Sequence, residues 1–208
     1  MSQREAQNES KREATREKIL SAAVALFAER GLAATSAKDI AQKAGVSVGL
    51  MYYYYPTKED AFGALLHEAL EIVNEIKSLI EKYSCPVRAL AALLDDILLE
   101  LATSNEFSQW MALLTHPLPK NHEPEWAEDF KNFHSEFTKQ IGILIGQGQD
   151  SGEFKQGDIM QLAQFLVAAL QGLCAMQLIF KEHFVPPNTE ILMAYLLKNE
   201  TKHKEVKI

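Results

Sequence analysis

The chain has 208 residues, of which 47% are hydrophobic and 24% are charged, and these proportions are those of an ordinary soluble globular protein. A formal net charge of −7 argues against a protein that binds nucleic acid over its whole surface. Two cysteines, Cys85 and Cys174, are too few for a disulfide framework and favour a reducing cytoplasm.

Charge is divided unevenly along the chain. Residues 1–60 contain nine Lys and Arg against eight Asp and Glu, a net charge of +1, whereas residues 61–208 contain twelve against twenty, a net charge of −8. The N-terminal segment "MSQREAQNESKREATREK" is charged and lacks the apolar run of a secretory signal. The chain is therefore electrostatically two-part, and its less acidic part comes first.

Hydrophobic periodicity predicts α-helices almost throughout. A first helix in "TREKILSAAVALFAERG" has an apolar stripe on one side and is expected to stop at Gly31. A short second helix begins after Ser36, with Asp39 three residues on in a capping-box-like pattern. Ser47 caps a third helix, which Pro56 terminates.

A long fourth helix is predicted after its cap, Thr57, because acidic residues follow at the positive end of the helix. Further helices are predicted at about 86–103, 105–115, 123–150, 157–182 and 188–199. "GQGQDSG" is interpreted as a helix end, with Gly152 beyond the cap.

The second and third predicted helices, joined by "KAGVSVG", have the length and the glycine-containing turn of a helix-turn-helix. The third helix contains four consecutive tyrosines, which cannot all face one core at 100° per residue. Met51 and Tyr55, four residues apart, are predicted to face the core. An outward tyrosine offers a ring to thymine methyl groups and a hydroxyl to phosphates, which indicates DNA contact. The predicted outward residues are Leu50, Tyr53 and Tyr54, with Tyr52 at their flank.

The run "ATREKILSAAVALFAERGLAATSAKDIAQKAGVSVGLMYYYYPTKEDAF" resembles the N-terminal domain of TetR/AcrR-type transcriptional regulators over about residues 14–62. The resemblance is carried by "LFAERG", by "TS..DIA..AGVS.G" and by the "YYYYP.K" run with the acidic residue after it. It implies an all-α fold: an N-terminal three-helix helix-turn-helix DNA-binding domain, followed by a helical ligand-binding and dimerisation domain.

Domain boundaries follow from the resemblance and the periodicity together. The extension contains Arg4, Lys11 and Arg12, so an arm that reaches the minor groove is the alternative to a disordered tail. We predict a flexible N-terminal extension at 1–13, a DNA-binding domain at 14–60 with turn and recognition helix at about 36–55, a ligand-binding and dimerisation domain at 61–200, and a frayed tail at 201–208.

The resemblance also assigns DNA contacts to individual residues. Ser36 and Lys38 begin the second helix, where family members touch phosphate, and Lys58 begins the fourth helix at a position that typically binds phosphate. The predicted DNA-binding residues are Ser36, Lys38, Ser47, Val48, Gly49, Leu50, Tyr52, Tyr53, Tyr54 and Lys58.

The recognition helix departs from the common family pattern "SKGTLYHYF". Val48, Leu50, Tyr53 and Tyr55 replace Lys, Thr, His and Phe, which removes polar contacts. We therefore expect readout to rely more on apolar contact with thymine methyl groups, on Lys38 and on DNA shape.

Aromatic and soft apolar residues cluster beyond residue 62, in "EFSQWMALLTHP" and in "PEWAEDFKNFHSEFTKQIGILIG", where Trp126 and Phe130 begin a stripe at helical spacing. Such a stripe is more often core than a ligand cage, but a ligand-responsive protein needs a cavity of this composition. The predicted ligand-binding residues are Phe107, Trp110, Met111, Phe133, His134, Phe137 and Gln171.

Residues 159–180 carry no charge over 22 residues, a length that can span a bilayer. Four glutamines interrupt the stretch, so we expect a helix of a soluble protein and predict no membrane partner. We predict a homodimer through about 157–199. Gln164 and Gln171 share one face, and both a bond across the interface and a bond into the pocket stay open. The seam is predicted to include Leu162, Phe165, Leu166, Ala169, Leu173 and Met176.

The leading interpretation is a cytoplasmic transcriptional repressor that binds a palindromic operator in double-stranded DNA and is released by a small apolar or aromatic effector. A first alternative is a constitutive or partner-controlled helix-turn-helix protein without a ligand. A second is an all-α enzyme or carrier, although neither a triad nor a nucleophile elbow is present. The six histidines have no metal-ligand spacing, so no metal and no cofactor are predicted.

Overall fold

The computed structural model describes residues 3–115 and 127–198. Over this part of the chain α-helices follow one another, and β-type pairing is limited to an isolated antiparallel bridge between Phe154 and Leu197. The predicted all-α fold class is therefore confirmed. Trp126 and the predicted tail at 201–208 lie outside the described residues. The helices are α1 (Gln3–Ala34), α2 (Ala37–Ala44), α3 (Val48–Tyr54), α4 (Lys58–Lys82), α5 (Pro86–Thr103), α6 (Glu106–Thr115), α7 (Ala127–Asp150), α8 (Ile159–Phe180) and α9 (Thr189–Met193).

The first helix is longer than the sequence suggested. α1 begins at Gln3, so that residues 3–13, predicted as a flexible extension, continue it towards the N-terminus. This segment consists mainly of Glu, Gln, Lys, Arg and Ala, which favour helix. Gly31 interrupts α1 where the stop was predicted, and its φ of 79° is a conformation that glycine adopts without the usual steric cost.

The helix starts follow the predicted capping residues. Asp39 N donates to Ser36 Oγ at 3.2 Å and Ser36 N donates to Asp39 Oδ2 at 3.0 Å, so the capping box of α2 is complete. The side-chain and backbone hydrogen bonds of Ser36 hold the pKa of Asp39 below its usual value. Ser47 accepts the backbone N–H of Leu50 at 3.1 Å and caps α3. Thr57 caps α4.

α1, α2, α3 and the start of α4 enclose a small core. Met51 and Ile40 are fully buried, and Tyr55 is almost so, which agrees with the predicted inward direction of Met51 and Tyr55. The rings of Phe27 and Phe62 meet edge to face with centroids 5.7 Å apart and join α1 to α4. This core fixes how α3 is presented to the exterior.

Two helices connect this core to the larger helical part. α4 packs against α1 at its start and against α7 along its length, and α6 packs against both α1 and α8. An ion pair of 3.2 Å between Lys77 and Glu136 links α4 to α7. With 25 residues, α4 is roughly 37 Å long and runs from the helix-turn-helix into the larger helical part.

α8 and the short turn after it, Ile159–His183, have the length and apolarity that a membrane-crossing helix needs. Only 33% of the most apolar stretch of this segment is buried in the protomer. One face packs against α6 and α7, and Ala163, Leu166 and Leu170 are fully buried there. The prediction that Leu166 belongs to the seam between protomers therefore needs correction, because its side chain lies inside its own protomer. The opposite face of α8 is exposed and remains free of charge.

Candidate functional site

The outward face of α3 is apolar and aromatic. Val48 is 40% exposed, Leu50 37%, Tyr52 51% and Tyr53 71%, whereas Tyr54 is half-buried. The structure therefore exposes four of the predicted DNA-binding side chains along α3. Tyr54, which was predicted to face outward, lies partly against the core.

Tyr53 projects furthest from α3. Tyr54 meets it edge to face, with ring centroids 5.4 Å apart, and supports its ring. Gly49, one turn earlier, is exposed, and a Cβ built there would have no neighbour within 4 Å. The bare backbone at Gly49 permits a close approach by another molecule beside Tyr53.

A groove of 510 Å³ lies beside α3, where the starts of α2 and α4 converge. Ser36, Tyr52 and Lys58 all line it, together with Thr57. Backbone N–H groups at helix N-termini attract anions. The groove therefore groups three predicted DNA-binding residues, although the carboxylate of Glu59 also lines it.

Lys58 makes contacts that the sequence did not suggest. Its ammonium donates to Leu32 O at 2.7 Å, Ala33 O at 3.3 Å and Thr35 O at 2.8 Å. These carbonyls lie at and just beyond the end of α1, where C=O groups have no N–H partner within the helix. Because an ammonium has three N–H donors, a phosphate contact requires Lys58 to share or release one of these carbonyls.

α3 contains no ionisable group other than its tyrosines, so positive charge near it comes from other helices. Lys38 is exposed on α2, and Lys58 of α4 lines the groove. Lys43, although exposed on α2, lines the clefts between α1 and the α5–α6 region. Ser47 is exposed at the α3 N-cap.

The predicted ligand residues divide between two places. Phe133 and Phe137 on α7 are buried and stacked, with centroids 5.9 Å apart, and His134 meets Phe133 edge to face at 6.0 Å. Met111 on α6 is also buried, whereas Phe107 is half-buried. The side chain of Phe130 is outside the described part of the structure.

Trp110 lies elsewhere, at a cavity of 240 Å³ where α1, α4 and α6 meet. Leu20 and Val24 from α1 and Leu65 from α4 form its apolar lining. Burial raises the pKa of Glu68, which also lines it, while Arg16 acts in the opposite direction. The cavity touches helices from both predicted domains.

A larger cleft of 770 Å³ separates α1 from the α5–α6 turn and the end of α8. Gln177 lines it; its Nε2 donates to Leu101 O at 2.8 Å and to Ser104 O, and its buried Oε1 has no partner among the described residues. Gln177 was not predicted as a site residue, because in the sequence it is one of four glutamines that interrupt the apolar stretch 159–180. Gln171, which was predicted, is half-buried on α8.

The exposed face of α8 combines large and small uncharged residues. Phe165, Met176 and Ile179 are exposed, and Ala168 and Gly172 lie between them. Gln164 is exposed on this helix too, whereas Leu162, Ala169 and Leu173 are half-buried.

Cys174 faces inward on α8, where burial raises the pKa of its thiol to about 11. Such a thiol is almost entirely protonated at neutral pH and is a poor nucleophile. Among the described residues, no group of three or more His, Cys, Asp and Glu side chains is placed to hold a metal ion.

Comparisons with known proteins agree on one family. Residues 19–65 match the model of the family described as "Bacterial regulatory proteins, tetR family". The chain is 26% identical over 167 residues to the probable HTH-type transcriptional regulator ArpR of Pseudomonas putida, a match that covers 76% of this chain and 78% of that protein. It is 34% identical over 79 residues to the HTH-type transcriptional repressor KstR2 of Mycobacterium tuberculosis. That second match covers 38% of this chain and only 40% of KstR2.

The fold is shared with a protein whose structure was solved with a bound small molecule. The structure of the SmeT–triclosan complex superposes with a TM-score of 0.69 and 22% identity, over 90% of this chain and 93% of that one. At this identity the likeness concerns the fold.

Proposed function

We propose that this chain, which belongs to the TetR family through its N-terminal domain, is a cytoplasmic, sequence-specific DNA-binding regulator of transcription. It acts as a repressor whose operator is released when a small apolar or aromatic molecule binds. The observation that carries the proposal is the exposed outer face of α3, held by the buried Met51 and Tyr55 in a helix-turn-helix. The DNA-binding domain comprises residues 14–60, and the effector-binding and dimerisation domain residues 61–200.

DNA contact is divided between the face of α3 and the groove beside it. Val48, Leu50 and Tyr53, next to the bare backbone of Gly49, enter the major groove, while Ser47 stays at the N-cap. Ser36, Lys38, Tyr52 and Lys58 contact the sugar-phosphate backbone. The charge on α2 supports the latter assignment, because phosphate contacts position a protein whereas base contacts specify the sequence. Tyr54 acts by supporting Tyr53.

The protein is a homodimer that pairs through the exposed face of α8 and its surroundings, at about 157–199. A face with Phe165, Met176 and Ile179 exposed is costly to leave in water. Two-fold symmetry in the protein calls for a palindromic operator whose half-sites lie one helical turn, about 34–36 Å, or somewhat more apart.

The effector binds among the aromatic residues of α6 and α7. The proposed apolar lining consists of Phe107, Met111, Phe133, His134 and Phe137, with Trp110 at the separate cavity against α1 and α4, and Gln171 is the proposed polar group that orients the guest. The cavity beside Trp110 supports a coupling to DNA, since it touches α1 and α4 as well as α6. That a protein of the same fold binds triclosan supports an apolar effector.

The test is selection of bound fragments from the source genome by the full-length protein, followed by footprinting. We expect a two-fold symmetric protected site. Tyr53→Ala should weaken binding to it by about 1–3 kcal/mol, because Tyr53 is the most exposed side chain of α3. Arg88→Ala is the control, since Arg88 is exposed at the start of α5, at the other end of α4. Recovery of no enriched fragment would contradict the proposed function.

A further inference from the structure

The tip of α3 is unusual for a DNA-reading helix because it presents aliphatic side chains. Val48 is the first residue of α3 and Leu50 the third, and both are exposed. Residues at the N-terminal end of a recognition helix are those that contact base edges. The two side chains at this end of α3 therefore carry no hydrogen-bond donor and no acceptor.

The backbone around these two residues leaves room for DNA. Gly49 lies between them, and a Cβ there would have no neighbour within 4 Å. The N-cap hydroxyl of Ser47 accepts the N–H of Leu50 at 3.1 Å and fixes the start of the helix. Val48 and Leu50 can therefore reach the floor of the major groove on either side of an open backbone.

Aliphatic side chains distinguish base pairs in the major groove by one feature. Thymine presents a C5-methyl group there, whereas guanine presents two acceptors and cytosine an amino donor. Contact between two apolar groups releases water from both, but an aliphatic group over guanine or cytosine removes water from a polar edge and replaces none of its hydrogen bonds. Val48 and Leu50 therefore favour thymine and disfavour a G·C pair.

We infer that Val48 and Leu50 are specificity-determining residues that read thymine methyl groups, so that each half-site carries thymines at the base pairs beneath the start of α3. This inference rests on the proposed DNA-binding function and names the bases that it selects. The exposed Lys38 of α2 supplies charge attraction to DNA, which does not distinguish between bases.

The experiment removes single methyl groups from the DNA. The preferred half-site is first selected from random double-stranded DNA with the full-length protein. Each thymine is then replaced in turn by deoxyuridine, which lacks only the methyl group, and dissociation constants are measured at fixed salt. At one or two positions per half-site, deoxyuridine should weaken binding about fourfold, the effect of burying one such group. Replacement of the same pair by G·C should weaken it about 5- to 150-fold.

Protein variants then assign each methyl group to its reader. Val48→Ala and Leu50→Ala remove exposed side chains, so the fold should persist, which thermal melting checks. In each variant, deoxyuridine should no longer weaken binding at the thymine that the missing side chain contacts, but it should still weaken binding at the other thymine. This is the coupling that a double-mutant cycle measures. Leu99→Ala is the matched control, since Leu99 is 63% exposed on α5. It should leave every penalty unchanged.

Two outcomes would overturn the inference while leaving the proposed function in place. In the first, a specific half-site is selected but every thymine tolerates deoxyuridine with a change below about twofold, half of the expected effect. In the second, the penalties persist in both variants, which would mean that deoxyuridine acts through DNA shape. Failure to select any sequence would instead count against the proposed function itself.

Discussion

Lys58 is the residue whose surroundings differ most from what its position in the chain suggested. Its place at the start of α4 predicted a phosphate contact, but in the structure its ammonium binds three carbonyl oxygens of residues 32, 33 and 35. These bonds join the end of α1 and the entry to α2 to the start of α4. Lys58 therefore stabilises the arrangement of the three helices that present α3.

Replacement of Lys58 by Met should lower the free energy of unfolding. Met keeps much of the side-chain bulk but leaves the carbonyls of α1 without their donor, at a cost of about 1–3 kcal/mol. Chemical denaturation of the full-length protein measures this. Lys82→Met, in the last turn of the same helix, is the matched control and should change stability by less than about 1 kcal/mol. An unchanged stability for Lys58→Met, with a weaker salt dependence of DNA binding, would mean that Lys58 acts on phosphate alone.

The tyrosine run shows which residue-level features the sequence could predict. The inward direction of Met51 and Tyr55 follows from helical geometry, and the structure buries both. Tyr54 was predicted to face outward but is half-buried, because the periodicity cannot show how much of a ring the neighbouring helices cover. The contacts of Lys58 span 23 to 26 residues, beyond the reach of any local pattern.

Among the helices, α8 is the one whose two faces differ most in environment. Its inner face packs on α6 and α7, and its outer face exposes Phe165, Met176 and Ile179 without a charge to solvate them. The small residues Ala168 and Gly172 between these side chains would let a second helix approach closely. These features support pairing of two α8 helices in the proposed homodimer.

A charge on the outer face of α8 should separate the protomers. Ile179 is 70% exposed, so that Ile179→Glu leaves the protomer core intact but places an unpaired carboxylate at the proposed interface. We expect the dimer to weaken by about 3–5 kcal/mol, measured by sedimentation equilibrium. Leu99→Glu, at a leucine that is 63% exposed on α5, is the control and should remain dimeric. Dimers of native affinity for Ile179→Glu would place the interface elsewhere.

Helix boundaries were predictable where the signal was local. Ser36, Ser47 and Thr57 begin α2, α3 and α4 as their capping patterns indicate. The prediction of 188–199 for the last helix was too long, since α9 covers only Thr189–Met193. Leu196, which comes after α9, is fully buried, and the N–H of Lys155 donates to its carbonyl oxygen at 2.7 Å. These tertiary contacts take the place of a further helical turn.

In the molecule as a whole, α4 and α6 are the routes by which an effector can influence α3. α4 packs against both α1 and α7, and α6 against both α1 and α8. We expect a guest that separates α6 from α1 or moves α7 to displace the start of α4 as well, and with it the groove beside α3. In a homodimer this changes the spacing of the two recognition helices. Effector and DNA then favour different conformations, which is the condition for one to weaken the other.

A hydrophobic effector should therefore reduce operator affinity by about 5- to 150-fold, and DNA should weaken effector binding by the same factor. Compounds that raise the melting temperature of the protein are first selected, and the operator is then titrated in the presence of each. Phe137→Trp fills the stacked pair on α7 and should abolish the effect of a compound bound there. A compound that binds without any change in operator affinity would favour a helix-turn-helix protein that is not controlled by a ligand.

The central claim is that this chain binds one symmetric DNA sequence as a dimer. It is tested most directly by comparing the affinity for that sequence with the affinity for a scrambled duplex. Dissociation constants of the full-length protein for its selected palindrome and for a scrambled duplex of equal length and composition are measured at the same near-physiological salt. We predict that the palindrome is bound at least about 1,000-fold more tightly, with two protomers on each duplex. Equal affinities for the two duplexes would contradict the claim.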